Sequence, residues 1–127
     1  MFDKELELRD YAAAAISATT SGTAIELPEL TKQNEFSVLV NAAAYTGTFA
    51  AGTLQWGIAI EVSDQPSSGF VEVASVVPAG VAIEYKIPLS GDWVQQKKPG
   101  AKYARVTATK TGSPGNLTYG AFIAPAL

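Results

Sequence analysis

Prolines at positions 28, 66, 78, 88, 99 and 114 leave few gaps in this chain long enough for a helix beyond its N-terminal segment. What lies between them has the period of a β-strand. In residues 54–62, Trp56, Ile58, Ile60 and Val62 share one face, and Gln55, Ala59 and Glu61 share the other. Residues 36–42 (FSVLVNA) and 70–76 (FVEVASV) are rich in β-branched and aromatic side chains. Residues 81–87 place Val81, Ile83, Tyr85 and Ile87 on one side, and Pro88 is expected to end that strand, because proline cannot donate to a ladder. A polar loop carrying Trp93 is expected over residues 90–100. Residues 102–109 and 117–123 then read as a closing hairpin around a Gly/Ser/Pro/Asn turn. Turn signals recur about every ten residues, the spacing of a sandwich or barrel. Seven or eight strands with this alternation predict an all-β fold: a single antiparallel β-sandwich of jelly-roll type.

The N-terminal stretch stands apart. Phe2, Leu6 and Leu8 lie among charges and precede an alanine run at 12–15, which suits a short helix or an extended arm. Thr19, Thr20, Ser21 and Gly22 break any helix there. Residues 1–22 are therefore expected to be an N-terminal arm or edge segment, and residues 23–127 the sandwich domain.

Composition narrows the chemistry. Apolar residues make up 47% of the chain and charged ones 17%, enough to fold a single core. Cysteine and histidine are both absent, which removes disulfides, thiolate metal sites, the commonest general base and the commonest zinc ligand. MFDKELELRD has no apolar h-region, so no signal peptide is expected, and synthesis is expected in the cytoplasm. No stretch approaches the ~20 apolar residues of a membrane span. The net charge of −3 opposes general nucleic-acid binding. Residues 1–85 carry three basic and eleven acidic side chains, and residues 86–127 carry six basic and one acidic. In a folded sandwich the two halves interleave and neutralise each other; otherwise the asymmetry favours head-to-tail contact between copies.

Few residues are candidates for chemistry. Glu61, Glu72 and Glu84 sit mid-strand opposite the apolar face, where the bland reading is solvated charge; a two-carboxylate glycosidase would need a placed pair. Asp64 falls short of the ligand set calcium takes and suits an Asx-turn. The glycines at 47, 52, 112 and 115 have no phosphate-loop spacing, and the Asn116-Leu117-Thr118 sequon lacks a secretory signal. No catalytic residue, cofactor or metal is expected. Lys97, Lys98 and Lys102 form the one basic run, either solvated or facing an acidic partner. Trp56 belongs to the core face. Trp93, in polar surroundings, either caps one end of the sandwich or anchors an interface.

Several motifs in order carry a resemblance: ATTSGTAIELP, FSVLVN, WGIAIEVSD, FVEVASV, then KYARVTAT, a turn, and LTYGAFIA. Together they cover most of residues 10–125. Their order and spacing resemble the small capsid-decoration, or cement, proteins of tailed bacteriophages. That resemblance implies a jelly-roll sandwich that sits on the surface of an icosahedral head and ties major capsid protein subunits together, often as a trimer. The family has no catalytic motif, so no site residue carries over. The partner-contact candidates come from the residues themselves: Phe2, Leu6, Leu8, Trp93, Lys97, Lys98 and Lys102. A phage neck or tail component is the nearest rival. A carbohydrate-binding sandwich that stacks sugars on Trp93 and tyrosines is the other.

Overall fold

Alternation along the chain resolves into two packed antiparallel sheets in the computed structural model, which describes residues 7–27 and 35–125. The described strands are β1 (Glu7–Arg9), β2 (Thr20–Ser21), β3 (Ile25–Glu26), β4 (Glu35–Ala42), β5 (Gln55–Ser63), β6 (Val71–Val76), β7 (Ile83–Ser90), β8 (Tyr103–Thr111) and β9 (Tyr119–Pro125). A short helix, α1 (Gly91–Lys97), follows β7. One sheet has the order β1-β9-β4-β7; the other runs β2-β8-β5-β6, with β3 also on β8. The pairs are nested: β5 with β6, β4 with β7, β2 and β3 with β8, and β1 with β9. The chain is thus one long hairpin wound so that successive rungs fall in alternate sheets.

Between the sheets lies a single apolar layer. Phe36, Val38, Val40 and Ala42 of β4, with Tyr119, Ala121 and Ile123 of β9, face Trp56, Ile58, Ile60 and Val62 of β5 and Ala104, Val106 and Ala108 of β8. All are buried, so Trp56, Ile58, Ile60, Val106 and Ile123 lie where their alternation predicts. Glu72 and Glu84 are exposed and Glu61 is half-buried on an outer face.

Four local expectations are corrected. β8 and β9 do not form a closing hairpin: β8 pairs with β5 and β9 with β4, in opposite sheets. The connection between them crosses the end of the sandwich, with Pro114 and Leu117 buried in the crossing. Leu8 points into the core at 5% exposure instead of toward a partner, because β1 is hydrogen-bonded along β9. Phe2 and Leu6 lie outside the described residues. Pro88 does not end β7, which runs on to Ser90; β7 is an edge strand, where a missing N–H is tolerated. The expected polar loop at 90–100 contains α1, whose first turn is capped by Ser90 Oγ accepting from the Trp93 N–H at 3.2 Å.

The crossing end is locked by close backbone contact and one buried hydroxyl. Gly115, at φ +96°, lies back to back with Gly47; a Cβ on Gly47 would stand 2.5 Å from the Pro114 carbonyl oxygen. The Asn116 N–H donates to Thr46 Oγ1 at 2.6 Å beside this contact. Tyr45 donates its hydroxyl to the Pro78 carbonyl at 2.5 Å and accepts from the Trp56 N–H at 3.0 Å. One phenol thereby ties the β4–β5 loop, β5 and the β6–β7 loop together.

Ile58→Ala should destabilise the fold by about 2–5 kcal/mol in a denaturant titration, since it opens a cavity in a layer that cannot collapse freely. Alkali should also unfold the protein. Burial raises the Tyr45 phenol above its ordinary value of 10.0, partly offset by the Trp56 hydrogen bond, and burial raises Tyr119 against the opposing charge of Arg9. The denatured tyrosines lose their protons first, so this stability is fully present below pH 10.0 and drains away as pH rises through the raised folded values. Tyr45→Phe together with Tyr119→Phe should flatten that alkaline limb. Tyr45→Phe alone should cost about 1–3 kcal/mol at neutral pH, by leaving buried partners unsatisfied.

Candidate functional site

Among the described residues no cleft gathers reactive groups, and the candidate surface is what the strands present outward. The outer face of the five-stranded sheet carries one polar network. Arg105 Nε donates to Glu61 Oε1 at 2.8 Å, and the Thr107 hydroxyl donates to the same oxygen at 2.7 Å. Ser21 Oγ lies 3.2 Å from Thr107 Oγ1, and the Arg105 guanidinium sits 4.0 Å above the Phe70 ring. The register causes this grouping: Glu61 is directly opposite Arg105 on one side and Glu72 on the other. Arg105 thus offsets the repulsion between two neighbouring carboxylates. Around the network the outward side chains are short, at Gly57, Ala59, Ser75 and Thr109. Glu61 is thus held by a cation and a hydroxyl, both reaching it from β8.

Trp93 lies at the end of the sandwich that holds α1. Its Nε1–H donates to the Val73 carbonyl at 2.9 Å, which fastens α1 to β6. Val73 is the extra residue of a β-bulge, since Ile60 pairs with Ala74 and Glu61 with Glu72. The indole remains 41% exposed, and Lys97 Nζ lies 4.9 Å from the ring centroid. Beside it opens a shallow cleft of about 470 Å³ between Val73, Lys86, Pro88 and Ser37. Ser37 Oγ at its floor is buried and makes no hydrogen bond among the described residues.

The basic run does not act as one patch. Lys97 turns to Trp93, Lys98 Nζ stands 3.9 Å from Asp64 Oδ1, and Lys102 is exposed beside Glu26 and Tyr103. The Asp64 turn is organised by its neighbour: Ser63 Oγ donates to the Ser68 carbonyl at 2.5 Å and accepts from the Gln65 N–H at 3.0 Å. The Lys98–Asp64 and Arg105–Glu61 pairs show the acidic and basic halves of the chain neutralising each other across the fold.

Exposed apolar side chains were not singled out by sequence spacing. Tyr11, Val77, Val81 and Ile83 are each more than 40% exposed. Val77 and Val81 belong to the β6–β7 loop, and Ile83 opens β7. Tyr11 reaches the same rim because the chain after β1 crosses the sheet at Gly120, where a Cβ would lie 2.8 Å from the Tyr11 backbone nitrogen. The signal was present in the apolar stripe of 81–87; what it lacked was the knowledge that this strand lies at an edge.

Trp93→Phe keeps an aromatic ring and removes the N–H. It should lower stability by about 1 kcal/mol, the worth of one hydrogen bond to a half-buried carbonyl, with an unchanged dependence on urea concentration.

No protein-family model matches this chain, and no curated protein matches its sequence.

Proposed function

We propose that this protein is a virion structural protein that decorates an icosahedral phage head and stabilises it by bridging major coat subunits. The observation that carries the proposal is the outer face of the five-stranded sheet, where short side chains at Gly57, Ala59, Ser75 and Thr109 surround the pinned Glu61–Arg105 pair. Short side chains allow another broad surface to approach closely, and a charge pair already satisfied within the chain is less costly to cover than a free one. The nested strand pairing supports the jelly-roll form of the sandwich that the motif order resembles. A homo-oligomer would repeat these shallow contacts on a symmetric shell. Repetition lets modest single-site affinity give near-complete occupancy.

A bridging protein binds the assembled lattice and not isolated coat protein, so its binding free energy adds to the shell's resistance to rupture. Lys97 and Lys102 facing an acidic coat surface would make part of that affinity fall with salt. Mixing the purified protein with heads that lack it should give saturable binding and a higher temperature of genome release. Failure to bind heads, with recovery in necks or tails, would overturn the proposal.

A further inference from the structure

β7 ends the four-stranded sheet: β4 fills one side, and no strand fills the other among the described residues. Successive residues of an antiparallel strand turn their backbone groups to alternate sides. A proline within a sheet is accommodated with its nitrogen toward the open side, which for Pro88 is the edge away from β4. By that alternation the N–H and C=O groups of Glu84 and Lys86 also face the open edge. Such a row of unpaired groups is a template for another strand.

The side chains on this edge specify which strand fits. Residues 83–87 read Ile-Glu-Tyr-Lys-Ile, a pattern symmetric about Tyr85 except that the charge changes sign. Glu84 and Lys86 are both exposed, and neither makes an ion pair among the described residues. Ile83 lies on the core-facing side, opposite Ala42, yet is 41% exposed because no described strand flanks it beyond the edge.

We propose that β7 pairs antiparallel with β7 of a second copy of this chain, about a two-fold axis at Tyr85. The four-stranded sheets of the two copies then join into one continuous sheet. In that register Glu84 faces Lys86 of the partner subunit, and Lys86 faces Glu84 of the partner subunit, both at positions whose backbone groups point across the junction. Tyr85 lies beside Tyr85 of the partner subunit, and Ile83 is covered by Ile87 of the partner subunit. The contact is isologous and closes on itself, so it yields a dimer and not a filament. Pro88, lacking an N–H, and α1 beyond it confine the pairing to this short stretch. The junction does not depend on a capsid partner.

Sedimentation equilibrium of the purified chain over a concentration series, with circular dichroism to verify folding, tests this register. The wild-type chain should dimerise. Glu84→Lys or Lys86→Glu alone sets like charges against each other at both symmetry-related positions and should weaken the dimer about tenfold or more. The double variant Glu84→Lys/Lys86→Glu reverses both charges, keeps the complementarity, and should restore wild-type association. A wild-type chain that stays monomeric overturns the proposal. So does association insensitive to either single reversal, or a double variant as weak as the singles.

Discussion

One layer of side chains, contributed by alternate residues of β4, β9, β5 and β8, is the contact on which the rest of this molecule depends. Four strands of period two can bury one face only by meeting another such face, and here they meet across a gap filled by branched aliphatics, alanine and the three large aromatics Phe36, Trp56 and Tyr119. Two of these aromatics also serve the surface. Trp56 donates its Nε1–H to the Gly115 carbonyl at 3.1 Å, which holds the crossing between β8 and β9 against the core. Tyr119 carries Arg9 4.7 Å over its ring, while Arg9 Nε donates to the Tyr119 carbonyl, so β1 is held at the sheet edge by a cation as well as by its ladder.

The strands themselves were legible because burial on one face imposes alternation, and alternation survives in the residues. Trp56 to Val62 and Ala104 to Ala108 needed nothing more than a period of two. Partners were not legible. A strand, a turn with glycines at positive φ, and another strand describe a hairpin and a sheet-crossing arch equally well. Only the neighbours already flanking β5 and β4 decide between them. Pro88 failed as a stop signal for a related reason: its effect depends on whether the strand has one neighbour or two. The helix α1 was missed because seven residues with one cap, Ser90, and one inward valine, Val94, carry too little periodicity to stand out in a polar stretch.

The surface was less readable than the core. Three lysines close in sequence suggested a patch, yet backbone direction in α1 and the turn after it sends them to an indole, to a carboxylate and to solvent. The Glu61–Arg105–Thr107 group joins residues more than forty positions apart and exists only through the β5–β8 register. Trp93 stood out in the sequence as an aromatic among polar residues. Its hydrogen bond to the bulged Val73 shows that part of its conspicuousness is structural, because the bulge frees a carbonyl that needs a donor.

The order β1-β9-β4-β7 places β9, the last of the described strands, in the interior of its sheet, between β1 and β4. During synthesis β1 therefore has no ladder to join until β9 emerges, and β4 keeps one side open for the same interval. The chain can pair β4 with β7 before β9 emerges, but completion of this sheet waits for β9. Over that interval the vacancy beside β4 accepts any strand of suitable pattern, including β9 from a neighbouring copy. A chain ended before β9 would keep that vacancy permanently, with its apolar layer open to whatever strand arrives.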